Sequence, residues 1–487
     1  MLLWLVIAYL VVSVAIGLYA ATRVHNARDY IVAGRNLPFV FVLAMVFATW
    51  FGAETVLGIS ATFIDEGFRG LISDPLGASL CLVLFGLIFA RPLYRMNLLT
   101  LGDYFRVRYN RRTEVALSLA IIISYLGWVG AQMAALGLVF NVLSDGVISI
   151  NQGVFIGAGV VLVYTLFGGM WSVALTTFVQ MIVIILGLLY VTYLAGDMAG
   201  GFGTVISKAS AEGKFEFLPT LDMIDMLGWI AALLTMAFGS IPQQDVFQRV
   251  NASKNERIAV WGTTIGGISY FFFAAVPLFL AYSATLIDPA MVERFMEEDS
   301  QLILPHLITD YMPFAAQVVF FGALISVIMS TASGTLLAPS VTFSENILRG
   351  FWPSMTDRQL LASTRIAVAV FATAVAGYAV STDATIHHMV ESAYRITLAG
   401  AFVPLVFGLF WKRANNLGAT LAIVLGIGTW LMLELFVPEG DIEPQLYGLV
   451  VSAIGMIIGG YLGAPTHHRP HAGHHHAASA THHTPHQ

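Results

Sequence analysis

The stretch Leu37-Pro38-Phe39-Val40-Phe41-Val42-Leu43-Ala44-Met45-Val46-Phe47-Ala48-Thr49-Trp50-Phe51-Gly52-Ala53-Glu54-Thr55-Val56-Leu57-Gly58-Ile59-Ser60-Ala61-Thr62-Phe63 reads as a membrane helix with an anomalous middle. Around Trp50 it carries two glycines, a carboxylate and an indole, where a lipid-facing helix would carry Leu and Ile. An ionisable group at bilayer depth is costly and faces a cavity or a partner. A helix interrupted there frees backbone carbonyls that can hold a small cation. The stretch is therefore expected to be half of an ion and solute site. The other half is expected at Gly239-Ser240-Ile241-Pro242-Gln243-Gln244.

The rest of the chain agrees with a membrane solvent. It has 487 residues, of which 57% are hydrophobic and 11% charged, and its mean hydropathy is +0.79. One span needs ~20 apolar residues, so the chain can hold a dozen or more. The expectation is an all-α integral membrane protein of about thirteen spans. They lie near 2–22, 39–63, 71–94, 115–143, 152–168, 174–196, 226–248, 258–285, 314–346, 361–382, 386–411, 417–437 and 445–463. The N-terminus has no basic region and no cleavage site, which reads as a retained helix. Cys81, the single cysteine, forms no intrachain disulfide. No HExxH or GxSxG motif marks an enzyme, and nothing points to nucleic acid.

The 23 Lys and Arg residues test the span count. Cytoplasmic loops carry the basic excess. With the N-terminus outside and the C-terminus cytoplasmic, the opposite side holds only Arg69, Lys208, Lys214 and Arg294. Arg395 falls within a span, and every other basic residue is cytoplasmic.

The two broken spans are the second and the seventh. The segments 37–196 and 226–412 each open on an interrupted helix and contain five spans. An odd number per half places the halves in opposite orientation, the pattern of an inverted-repeat transporter. Around them lie an N-terminal helix and loop (1–36), an extracellular connection (197–225), two peripheral helices (413–464) and a disordered His-rich tail (465–487). The tail's imidazoles could bind metal or serve only as a soluble end.

Span nine clusters the hydroxyls Ser326, Ser330, Thr331 and Ser333. Hydroxyls and carbonyls suit sodium, a hard cation. They equally suit bonds back to their own helix or helix packing, and the residues alone leave both open.

Five motifs in order resemble the sodium/solute symporter family, nearest its high-affinity choline transporter branch. They are Ala48-Thr49-Trp50-Phe51-Gly52, Phe89-Ala90-Arg91-Pro92, Gly168-Gly169-Met170-Trp171-Ser172-Val173, Ile241-Pro242-Gln243-Gln244-Asp245-Val246-Phe247-Gln248-Arg249 and Met329-Ser330-Thr331-Ala332. The resemblance spans residues 1 to about 465. It implies ten core helices in two inverted five-helix repeats, alternating access and a multi-pass plasma membrane location, the inner membrane in a bacterium. It also implies one sodium site, formed by the carbonyls of Ala48, Phe51 and Val327 and the hydroxyls of Ser330 and Thr331.

Two departures bear on stoichiometry. Thr177 stands where many members have Asp, and Ser333 where the choline branch has Asp. A second sodium site is therefore not expected, and one sodium per solute is. Trp50 and Trp128 match two tryptophans of the branch's aromatic pocket, whereas Gln243 replaces a third. Aromatic faces attract quaternary ammonium ions. Glu54, one turn beyond Trp50, could hold an ammonium group, pair with a buried cation or make a structural hydrogen bond. Asp74, before Pro75, could likewise hold an ammonium group but is expected to cap a helix, and Glu391 is expected to pair with Arg395 at i,i+4.

The resulting expectation is a sodium-coupled symporter that imports a small polar organic solute, an amine or quaternary amine such as choline. The alternatives are an amino acid or carboxylate symporter, a proton-coupled version using Glu54, and a membrane sensor acting through a partner. Oligomeric state stays open.

Overall fold

A computed structural model describes residues 1–437 and 440–464. The expected His-rich tail lies outside the described residues. Among those described, the chain is helical throughout and has no β-sheet, only a bridge between Leu37 and Ser253. Nine helical segments are long and apolar enough to cross a membrane. A bent pair, Ile386–Gly400 with Phe402–Phe410, makes a tenth.

The difference from thirteen is in how breaks are counted. Glu54–Arg95 runs the second half of the second expected span into the third, and Ile150–Met198 joins the fifth and sixth. Phe39–Trp50 and Met223–Ala237 are each too short to cross alone, because each is the first half of a broken helix. Helix lies in every expected span, interrupted in the second and the seventh.

Gly169 divides Ile150–Met198. Its backbone sits at φ 51°, ψ −133°, a conformation closed to L side chains. A Cβ there would stand 2.4 Å from the Tyr30 carbonyl oxygen, so the corner packs on the Ala27–Val32 helix. Gly169→Ala should lower stability by at least ~1–2 kcal/mol, the cost of a left-handed L-residue. A melting temperature equal to that of the unsubstituted protein would refute this.

Polar side chains end the helices at their boundaries. Asn110 accepts from the Thr113 N–H, and Thr100, Ser149 and Thr356 form reciprocal capping boxes. Each satisfies N–H groups that a helix start leaves unpaired.

At the centre lies Phe314–Thr342, which packs against Ile150–Met198, Arg111–Leu143 and Phe39–Trp50. Every residue from Ala323 to Thr342 is buried. Burial on all faces makes this the axis of the molecule rather than an amphipathic surface helix. Its hydroxyls must then find partners in protein, and most bond back to their own helix: Ser330 to Val327, Ser333 to Ser330, Thr335 to Thr331 and Ser340 to Leu336. Ser326 bonds back to Gly322 and also meets the Tyr9 hydroxyl. Thr331 instead reaches across to the first break.

Candidate functional site

The first broken helix runs Phe39–Trp50 and stops at Phe51, whose φ −77°, ψ 74° is not helical. The chain resumes as a π-helical turn, Glu54–Gly58, and continues as Ile59–Glu66. This break redirects the N–H groups that would close the last turn. The Gly52 N–H donates to the Trp50 carbonyl at 2.8 Å, and so leaves Ala48 without its usual partner. The Thr55 N–H donates to Gly52 at 3.1 Å and likewise releases Phe51. The Ala53 N–H goes to Gln132 Oε1 at 3.0 Å.

The Thr331 hydroxyl takes up both released carbonyls, donating to Ala48 O at 3.0 Å and Phe51 O at 3.2 Å. The next residue back, Ser330, donates to Val327 O at 2.9 Å. All five sequence-derived ligands are buried. Three of them, Ala48, Phe51 and Thr331, meet directly, and Ser330 with Val327 forms the adjoining pair. Carbonyls released from a helix, with a hydroxyl between them, form a neutral all-oxygen donor set. Such a set fits a hard monovalent cation. Thr177 is buried, and its hydroxyl has no hydrogen-bond partner among the described residues.

Beside this oxygen cluster lies an aromatic one. Trp50 and Trp128 stack with ring centroids 4.8 Å apart and 19° between planes. Tyr394 stands edge-on to both, at 5.5 and 5.7 Å. Tyr125 stacks on the far face of the group, 6.0 Å from Trp128. The Trp50 indole N–H and the Tyr394 hydroxyl are buried without a hydrogen-bond partner among the described residues. Buried polar groups are normally paired, so these two are available to a ligand.

Sequence reasoning missed Tyr394. The helix that carries it is interrupted there, between Ile386–Ala393 and Arg395–Gly400, and its 47° bend comes later, between Gly400 and Phe402. The interruption at Tyr394 corrects the expected Glu391–Arg395 pair, because i,i+4 neighbours face each other only on an unbroken helix. Arg395 pairs with Glu434 at 3.0 Å, and Glu391 lies 3.9 Å from His387.

The second broken helix runs Met223–Ala237, opens through residues 238–243 and resumes as Gln244–Asn251. Gln243 is buried at the junction. Its amide nitrogen donates to Ser124 at 3.1 Å and to Thr397 at 3.4 Å. Thr397 in turn donates to the Gly239 carbonyl at 2.7 Å, tying the break to the bent helix.

Glu54 is fully buried behind the indoles. Its carboxylate accepts from Trp128 Nε1 at 3.3 Å and from Gln132 Nε2 at 2.7 Å. Of the three roles open to it, the structure displays the hydrogen-bonding one: it orients Trp128. Asp74 is a correction. It caps no helix but accepts from the Tyr270 hydroxyl, which also lies 3.2 Å from Thr55. Thr55 donates to Trp50 O at 2.8 Å, so Asp74 supports the first break through two side chains.

Two discontinuous helices that meet around freed carbonyls and aromatic faces, inside an all-helical membrane bundle, define a secondary transporter. The chain belongs to the sodium:solute symporter family, whose profile matches residues 30–426. It is 27% identical to the human high affinity choline transporter 1 over 462 residues, covering 91% of this chain and 77% of that protein. It is 25% identical to the osmoregulated proline transporter OpuE of Bacillus subtilis, covering 92% of each. Among solved structures, a sodium-coupled sialic acid symporter, captured substrate-bound and outward-open, superposes with a TM-score of 0.81. That alignment covers 96% of this chain and 99% of the other at 18% identity, which establishes the shared fold. The family is one of multi-pass membrane symporters, not enzymes.

Proposed function

We propose that the chain couples the entry of one sodium ion to uptake of a small organic cation, a quaternary amine such as choline. The observation that carries this reading is the Thr331 hydroxyl between two carbonyls that the first break releases. In the sodium-bound form the Thr331 hydroxyl would rotate its proton away and offer a lone pair beside Ala48 O and Phe51 O. Val327 O and Ser330 Oγ would complete five oxygen ligands. Those ligands span the first broken helix and the central helix, so binding there pulls the two together and links ion occupancy to the position of Trp50.

Trp50, Trp128 and Tyr394 would hold the solute's ammonium head by cation–π attraction. Glu54 acts through Trp128: a carboxylate on the indole N–H makes that ring richer in electrons and the attraction stronger. Gln243, which has both a donor and an acceptor, would meet a hydroxyl on the solute. Neutral Thr177 and Ser333 support a single ion site and a 1:1 ratio.

Segments 37–196 and 226–412, each opening on a broken helix, are the proposed inverted repeats that rock to exchange access. The distribution of Lys and Arg supports an N-terminus outside and a C-terminus in the cytoplasm of a bacterial inner membrane.

The test is the melting temperature of the purified protein in sodium or potassium, with choline, betaine, amino acids, carboxylates and sugars. A ligand of the folded state raises it by mass action. Sodium should raise it alone, and choline should raise it further only with sodium present. A shift with choline that is equal in potassium would remove sodium coupling, and no shift with either would remove the site.

A further inference from the structure

The first turn of the second broken helix carries a charge with no part in the scheme above. Asp245 is buried beside Gln243 and Gln244. Its Oδ1 accepts from the Tyr125 hydroxyl, and that same hydroxyl accepts from the Asp245 N–H at 2.8 Å. Its Oδ2 accepts from Arg249 Nη1 at 2.7 Å, one turn further along. Tyr125 stacks on Trp128, so one side chain separates Asp245 from the proposed solute cage.

The N-terminal end of a half-helix at mid-membrane is by its dipole a receptor for an anionic solute group. Here that end is occupied. A carboxylate of the protein sits in its first turn, and the Asp245 N–H is taken by Tyr125. The basic group one turn beyond is also committed. Arg249 is itself buried, bonded to Asp245 and pressed on the central helix, with Nη2 2.1 Å from where a Cβ on Gly334 would stand. Gly334 is what admits it. A solute carboxylate arriving at Gln243 would meet the carboxylate end of this ion pair, one turn nearer than its guanidinium, and no free positive charge.

We propose that Asp245 is the charge filter of the solute site: it admits organic cations and excludes solutes that carry a carboxylate. The proposal rests on the aromatic cluster being the solute site and adds which chemical class that site rejects. Like charge brought into a low-dielectric site is the strongest means of excluding a near-isostere.

Choline and glycine betaine isolate the effect, since both carry a trimethylammonium head and differ by a hydroxymethyl against a carboxylate. Affinities come from melting-temperature titrations in sodium. The unsubstituted protein should bind choline at least about tenfold tighter than betaine, a ratio within reach of one buried charge. In Asp245→Asn, Arg249 is released to receive the betaine carboxylate, and the ratio should fall to about threefold or less. Because this variant strands a buried guanidinium, Asp245→Asn/Arg249→Gln is measured beside it. It should lose the discrimination too, through loss of the repulsion. Equal affinities in the unsubstituted protein, or a ratio unchanged in both variants, would overturn the filter while leaving the cage intact. Binding of neither compound would overturn the cage, and the filter with it.

Discussion

Ser330→Ala/Thr331→Ala should raise the sodium concentration for half-maximal uptake by ten- to a hundredfold, on the order of 1.5–3 kcal/mol for hydrogen-bond-strength contacts to a charge. Two of the five proposed oxygen ligands are removed. The carbonyls remain, but Ala48 O and Phe51 O lose the hydroxyl that bridges them. That loss also acts on the sodium-free protein, because a buried carbonyl left unpaired costs roughly 1–3 kcal/mol. The variant should therefore melt lower in potassium and gain less from sodium. Thr331→Ser separates the two effects. It keeps the oxygen and drops a methyl group, and should restore most of the sodium response. A double variant with unchanged sodium dependence would strike both residues from the ligand set.

The first break was legible in the sequence because its signal is local. Two glycines and a carboxylate in an apolar run mark a break, and Thr331 belongs to a dense group of hydroxyls in a run otherwise suited to lipid. What the sequence did not distinguish was which hydroxyl leaves its own helix. Ser326, Ser330 and Ser333 all bond back within a turn, and only packing aims Thr331 at the break. The solute half was half legible. Trp50 stands out as an indole in an apolar run and Trp128 came through the family resemblance, whereas nothing in the sequence around Tyr394 sets it apart from its neighbours. The interruption of the helix at Tyr394 undid the Glu391–Arg395 pairing, which assumed an unbroken helix, and Arg395 turned to Glu434. Asp74 was misread for a related reason: helix-capping logic uses near neighbours, and its partner Tyr270 is 196 residues away. Periodicity and charge found the spans, and the expected limits 152–168 and 174–196 bracket the corner at Gly169.

Trp128→Ala should abolish the solute-dependent rise in melting temperature while leaving the rise with sodium. Trp128 meets both other members of the proposed cage, Trp50 at 4.8 Å and Tyr394 at 5.7 Å, and stacks on Tyr125 at 6.0 Å. A desolvated cation–π contact contributes ~2 kcal/mol or more, about thirtyfold in affinity, and collapse of the neighbouring rings into the vacated space would add to the loss. Stability should fall by ~3–5 kcal/mol as for other buried aromatics, so the solute response must be read as a shift above each variant's own baseline. Two milder changes locate the origin of the effect. Trp128→Phe keeps an aromatic face but forfeits the N–H to Glu54, and Glu54→Gln keeps an acceptor for that N–H but removes its charge. If the carboxylate enriches the indole, both should weaken binding by a similar factor, well short of Trp128→Ala, and combining them should add little, because the two would break one interaction. Additive losses would assign Glu54 a direct contact with the solute instead. A Trp128→Ala variant that binds choline as tightly as the unsubstituted protein would place the solute elsewhere in the bundle.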